Sequence, residues 1–187
     1  MQVDQVSYDI FEPSNQRIKI SRNMIVFSLI LVALLTALTP IKFDETLWFL
    51  YFVFVFLYII YCVITSIFGY KPLYGTIDGI LEFKSDVVMC RDYCINLSEV
   101  KSIDFNFTDY RGQLQYAPRT YLNPIRSQGV NNSFEYTDLK GDTYEVFFRL
   151  EHQEDHKNLE LLIDHYFRIG KISHQRRYEL QNARFSW

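Results

Sequence analysis

The sequence predicts an α+β membrane protein: a transmembrane α-hairpin, then an antiparallel β sandwich or partial barrel closed by a C-terminal amphipathic helix. Three observations predict it. Two uncharged apolar runs, residues 24–38 and 47–68, are separated by eight residues. Beyond Pro72 the apolar residues alternate instead of running on, which is the period of half-buried strands. Near the end, one stripe returns at helical spacing.

The chain has 187 residues, 49% hydrophobic and 22% charged, with a formal net charge of −3. That balance excludes a disordered polymer, a coiled coil and a globally basic nucleic-acid binder. Residues 1–71 carry five Lys/Arg and five Asp/Glu, and the remainder carries fourteen and seventeen. The expected organisation is an N-terminal cytoplasmic segment (1–17), a two-helix transmembrane hairpin (18–70), a cytoplasmic domain (71–170) and a basic tail (171–187).

Residues 47–68 form an uncharged run of 22, about 33 Å as a helix, which spans a hydrocarbon core of about 30 Å. Residues 24–38 reach about 22 Å. Ile18 and Ile20 extend them, with Lys19 and Arg22 snorkelling toward head groups. A signal peptide is disfavoured by the polar stretch ahead of the run and by the lack of a small-residue cleavage site after it. A buried core helix is disfavoured by the longer apolar run that follows. Pro40 stops the first helix. Arg17, Lys19, Arg22 and Lys71 flank the outer ends of the pair, so both termini belong on the cytoplasmic side. Trp48 and Phe49 at one end and Tyr70 at the other suit the two interfacial belts. The second run carries nine aromatics. Lipid-facing bulk is the preferred account of them, and self-association through Tyr58 and Tyr61 into a homo-oligomer is the sharper one.

Strands are expected over 76–84, 87–91, 94–97 and 101–108, with Ser85-Asp86 as a turn and a bulge at Gly79. Ile103, Phe105 and Phe107 share one face. Residues 134–139 and 143–150 flank Lys140-Gly141-Asp142, the clearest hairpin in the chain, with Tyr144, Val146, Phe148 and Leu150 on one face. A helix near 155–169 aligns Leu159, Leu162, Ile163, Tyr166 and Phe167, and Gly170 suits its C′ position.

The run GILEFKSDVVMCRDYCINLSEVKSIDF at 79–105, followed by further strands and one C-terminal amphipathic helix, resembles bacterial pleckstrin-homology-like (PH-like) domains. Many of these follow a pair of transmembrane helices. The resemblance spans roughly residues 72–170, with residues 109–133 as an insertion, and it supplies no catalytic residues. It implies a non-catalytic protein of the bacterial inner (plasma) membrane that presents a PH-like domain to a protein partner, a phosphate-bearing ligand or lipid. A second resemblance, by architecture alone, is to ligand-gated, membrane-disrupting effectors of anti-phage systems that sense cyclic nucleotides. A cognate immunity protein belongs with that alternative.

Residues 109–132 are too long and polar for a simple turn. They interleave Arg111, Arg119 and Arg126 with Tyr110, Tyr116 and Tyr121. Arginine forks suit phosphate, and tyrosine adds a flat face and a hydroxyl. The preferred plain reading is a solvated loop folded back over the barrel end, partly as an extra strand. The functional reading makes Arg111, Tyr116, Arg119, Tyr121 and Arg126 the ligand- or partner-binding set. In the tail, Arg176, Arg177, Arg184 and Trp187 suit an anionic lipid surface, and packing of the tail on the domain is the equal alternative. Cys90 and Cys94 lack the further ligands that zinc needs, and Cys62 lies within the second apolar run, so three unbridged thiols are expected. His152 and His156 are expected at the surface. Neither GxGxxG nor a P-loop nor a nucleophile elbow occurs. No enzyme, metal, cofactor or nucleic-acid polymer is therefore expected, and the lipid bilayer is the first partner.

Overall fold

The computed structural model describes residues 5–14, 22–38, 44–115 and 123–183. The chain divides into two compact units. One takes Met1–Asn15, Leu73–Gln113 and Ser127–Trp187, and the other Gln16–Pro72 and Leu114–Arg126.

The first unit is α+β, built on a seven-stranded antiparallel sheet. Its strands are β1 (Val6–Pro13), β2 (Gly75–Phe83), β3 (Val87–Cys90), β4 (Tyr93–Asn96), β5 (Val100–Asn106), β8 (Asn132–Asp138) and β9 (Thr143–Phe148). A two-stranded ribbon, β6 (Arg111–Leu114) with β7 (Arg126–Gln128), interrupts the run between β5 and β8. The order across the sheet is β4-β3-β2-β1-β9-β8-β5.

Most strands lie where alternation places them. Ile103 and Phe105 on β5, and Phe134 and Phe148 on β8 and β9, are buried. The expected bulge is present: Asp9 faces Ile80 and Phe11 faces Ile77, so Ile10 opposes two residues, Asp78 and Gly79. Gly79 has φ +87°, and a Cβ there would meet the Arg91 side chain at 2.5 Å. Glycine is the residue that relieves both constraints.

The N-terminal strand is the departure from the sequence reading, which assigned no element ahead of the apolar runs. Val6, Tyr8 and Ile10 alternate as a strand should, and β1 lies in the middle of the sheet, pairing with β2 on one side and β9 on the other. Its far end pairs Pro13 with Gly75, and the Ser14 amide donates to the Tyr74 carbonyl at 2.9 Å. The chain therefore leaves the sheet and returns to it at one point.

The helix expected over 155–169 begins as a 3₁₀ segment, Asp155–Leu159, and continues as α3, Glu160–Arg168. Leu159, Leu162, Ile163 and Tyr166 are all buried against the sheet, and Gly170 takes φ +75°. The Tyr166 hydroxyl donates to the Lys84 carbonyl at 2.7 Å, and the His165 ring contacts the Ser85 carbonyl at 2.9 Å. Helix α3 thus seals the end of the sheet near the β2–β3 turn. A last helix, α4 (His174–Gln181), starts at Ser173, whose hydroxyl accepts from the Arg176 amide, and buries Leu180.

His156 is not at the surface as expected. It is 8% exposed, its ring sits 5.6 Å from that of Phe107, and Nδ1 lies 2.9 Å from the Gln153 carbonyl. Burial, with the Lys157 charge, outweighs Glu154, Glu160 and that hydrogen bond and holds its pKa below the ordinary imidazole value of 6.5. The unfolded chain then binds the proton more readily, so stability falls as pH drops through that ordinary value. Melting of the detergent-solubilised protein should occur at lower temperature at about pH 5.5 than at about pH 7.5, and His156→Phe should shrink the difference.

The second unit holds α1 (Arg22–Leu38) and α2 (Glu45–Phe68). Asp44 caps α2 by accepting from the Thr46 amide at 2.9 Å, and the Gly69 amide closes its far end on the Thr65 carbonyl at 2.9 Å. The Tyr51 hydroxyl donates to the Leu29 carbonyl, so the two helices touch. Phe49, Phe52, Phe54, Phe56 and Phe68 are exposed. Among the described residues, α2 alone is long and apolar enough to cross a membrane, and the apolar part of α1, Met24–Leu34, is shorter. The expected hairpin of two spans therefore rests on one helix of sufficient length.

Candidate functional site

The segment singled out for its arginines and tyrosines is organised from its base by one acidic residue. Asp109 is fully buried. One carboxylate oxygen accepts from the Ser127 hydroxyl and from Asn131 Nδ2 at 2.8 Å, and the other accepts from the Asn131 amide at 3.1 Å. Asn132 completes the knot: its side-chain oxygen accepts from the Thr108 amide at 2.9 Å, and its Nδ2 donates to the Gly129 carbonyl at 2.8 Å. A buried carboxylate is tolerable when its lone pairs are filled this way. These bonds join residues 108–109 to 127–132, holding together the two ends of the excursion.

The excursion itself belongs to the helical unit. The Arg126 guanidinium Nε donates to the Ile67 carbonyl at 3.1 Å, and the Arg126 carbonyl accepts from the Lys71 amide at 2.7 Å. The Ile125 amide reaches the Ser66 carbonyl at 3.3 Å, and Lys71 Nζ donates to Gln115 Oε1 at 2.7 Å. Arg126 therefore acts at the carbonyl end of α2, where a cation complements the helix dipole. Arg111 Nη1 pairs with Glu151 at 3.1 Å, which also takes Arg149 at 2.7 Å. Tyr116, Arg119 and Tyr121 lie outside the described residues. The two described arginines of the set are thus in different units, each engaged with the protein's own groups.

In the tail, Arg176 donates Nε to Asp104 at 2.5 Å, Nη1 to Glu179 at 2.9 Å and Nη2 to the Phe105 carbonyl. Arg177 pairs with Asp164 at 2.7 Å and lies 4.8 Å over the Phe167 ring. Residues up to 183 thus show the packed arrangement, with both cations turned onto the sheet or α3. Arg184 and Trp187 lie outside the described residues. Cys62, Cys90 and Cys94 are unbridged. Among the described residues, no three His, Cys, Asp or Glu side chains are grouped to hold a metal ion.

The sheet unit holds a cavity that sequence reasoning did not find. A cavity of about 440 Å³ opens between the β3–β4 hairpin and the strands β5, β8 and β9. Tyr93, Tyr136 and Tyr144 line it, together with Cys90, Glu99 and Asp138. Tyr136 stacks between Phe134 (5.8 Å between centroids) and Tyr144 (5.0 Å, 18° between planes). Burial, then the nearby Tyr144, Cys90 and Asp138, raise the Tyr136 pKa, and burial raises that of the Cys90 thiol. Both groups are neutral at physiological pH. Alternation already placed Tyr144 on the inward face, but nothing in the sequence showed that β3 and β4 curl round to meet it. A second cavity of about 230 Å³ lies between α1 and α2 beside Trp48 and Tyr51.

Compared with protein-family models, curated proteins and solved structures, the chain matches none.

Proposed function

We propose that the chain is a non-catalytic binding protein anchored in the bacterial inner membrane, where it presents a PH-like domain on the cytoplasmic side. The observation that carries the anchor is the register of β1 with β2. The 59 residues between Ser14 and Tyr74 leave and re-enter one sheet beside the Pro13–Gly75 pair. Both ends of the helical excursion are thereby tied to the same domain, hence to the same side of any bilayer. If α2 crosses, the chain must cross again to return, and α1 is the remaining apolar helix. Exposed Phe and Leu side chains along α2 cannot be satisfied by water and suit lipid. Arg22, which opens α1, and Lys71, which follows α2 in the chain, favour the cytoplasmic side for that domain.

The PH-like reading is supported by two antiparallel meanders, β4-β3-β2-β1 and β9-β8-β5, joined through β1 and β9 and sealed by a helix after the last strand. The binding role rests on the cavity at the other end of the sheet, and the paired arginines move the emphasis there from the Arg/Tyr segment. The anchor is tested in intact bacterial cells with single cysteines placed in a background in which Cys62, Cys90 and Cys94 are all replaced by Ala. Glu45→Cys, at the start of α2, should react with a membrane-impermeant maleimide, and Lys140→Cys, on the β8–β9 turn, should react after lysis alone. Labelling of position 140 in intact cells, or recovery of the chain without detergent, overturns the reading.

A further inference from the structure

The curled sheet has two ends, and they are treated differently. At the end near Lys84, α3 packs Leu159, Leu162 and Ile163 onto Phe83 and its neighbours, all fully buried. At the other end, no α-helical residue is among the described residues that line the cavity. Cys90 pairs with Tyr93 beside the β3–β4 turn, and Tyr136 pairs with Tyr144 two residues before the β8–β9 turn. There Tyr93 is 79% exposed and Tyr144 45%. Phe134 and Phe148, further along the same inward faces of β8 and β9, are fully buried. Tyr136 packs back onto the core through Phe134, whereas the rings of Tyr93 and Tyr144 are left exposed on the cavity wall.

The charge of that wall is one-sided. Glu99, Asp138 and Glu145 are among the described residues lining the cavity, and no Lys, Arg or His is. Strand alternation puts Asp138 on the face of Tyr136, whereas Glu145, one step from Tyr144, falls on the opposite face and contributes through its field. The neighbouring Arg91 is committed elsewhere, to Glu12 at 2.6 Å and to the Asp78 carbonyl at 3.1 Å. An anionic ligand would find tyrosine hydroxyls but no cationic side chain among the described lining residues, and would meet negative potential. A cation finds ring faces, whose quadrupole attracts positive charge, backed by carboxylates.

The kind of cation follows from how the carboxylate is used. Asp138 Oδ1 already accepts from the Lys140 amide at 2.8 Å and the Asp142 amide at 2.9 Å, holding the hairpin turn. It supplies field more than a clamp for N–H donors. A primary ammonium gives up strong hydration and needs acceptors in return, whereas a quaternary ammonium has no N–H to satisfy and sits directly on aromatic faces. A volume of about 440 Å³ falls within the range of small-ligand sites, about 300–1,000 Å³.

We propose that this end of the sheet binds a small organic cation of the quaternary-ammonium class, seated on the exposed rings of Tyr93 and Tyr144, with Tyr136 stacked behind Tyr144 and with Glu99 and Asp138 alongside. The inference deepens the binding reading above by naming a ligand class. It is independent of the anchor, because the cavity lies wholly within the sheet unit. Free choline and the choline head group of a lipid share this chemistry.

The test uses the full chain in a maltoside detergent, titrated calorimetrically with choline, with its neutral isostere 3,3-dimethylbutanol, and with short-chain phosphatidylcholine below its micellar concentration. Choline should bind saturably and the neutral isostere at least about tenfold more weakly. Tyr144→Leu should weaken choline about tenfold or more, whereas Tyr144→Phe, which keeps the ring, should hold it within about threefold. Glu99→Gln should weaken it and reduce its dependence on salt. Tighter binding of choline or of phosphatidylcholine assigns the source. Equal binding of the neutral isostere, an unchanged Tyr144→Leu variant, or saturable binding of an arginine-rich peptide without any of choline overturns the proposal. A negative titration alongside the expected maleimide pattern rejects the ligand class and leaves the anchor standing.

Discussion

A chain lacking residues 1–14 should fail to form its sheet, even though the deleted segment precedes both apolar helices and is remote in sequence from the other strands. Strand β1 lies between β2 and β9, so its loss separates the meander β4-β3-β2 from β9-β8-β5. Tyr8 and Ile10 are 8% and 4% exposed and belong to the main core. Their burial contributes about 1.5–3 kcal/mol each. Ladder hydrogen bonds on both edges are lost as well, leaving interior backbone groups unpaired. Against a total stability of about 5–15 kcal/mol, that deficit leaves little or no folded population. Limited proteolysis of the detergent-solubilised protein should digest residues beyond 75 in the truncated chain under conditions where the intact chain resists. Equal resistance would mean that β1 is dispensable. Ile10→Asp, which keeps the backbone and buries a charge, should move the chain in the same direction by less.

The largest effect of a single side chain should come from Phe83→Ala. The Phe83 ring is fully buried and meets Phe134 at 5.1 Å, Phe105 at 5.3 Å, Tyr8 at 6.2 Å and Phe148 at 6.4 Å between centroids. One ring thus joins β1, β2, β5, β8 and β9. Truncating such a residue removes its transfer energy and leaves a cavity, at a cost of about 3–5 kcal/mol. The edge-on contacts add about 0.5–1.5 kcal/mol beyond area burial. Urea titration followed by near-ultraviolet dichroism should show the midpoint falling by a large fraction of its value, with the slope unchanged. A shift worth less than about 1 kcal/mol would show that the surrounding rings collapse into the space. Phe83→Leu, which refills most of the volume, should cost markedly less.

Strands β2, β3, β5, β8 and β9 were legible because their inward residues alternate and their turns carry turn chemistry. The bulge at Gly79 was legible because a glycine inside a strand pattern has few other uses. The stripe from Leu159 to Phe167 announced α3. Strand β1 was missed although Val6, Tyr8 and Ile10 alternate. Eight residues standing apart from every other strand signal carry no information about their partners, which lie on the far side of the helices. The candidate site divides the same way. The Arg/Tyr composition of residues 109–132 was visible, but Arg126 serves the end of α2 and Arg111 serves Glu151, and such pairings are three-dimensional facts. Tyr93, Tyr136 and Tyr144 were each readable as strand residues without any sign that they meet.

Period and polarity, which act through neighbours along the chain, determined by themselves which segments are strands, which are amphipathic and which are too apolar for water. Tertiary structure alone decided which strand is central, where the helical excursion is tied, and which end of the sheet stays open. Those outcomes depend on pairing across as many as 138 positions, as between Ile10 and Phe148, and the cost of bringing distant segments together leaves no mark in any local stretch.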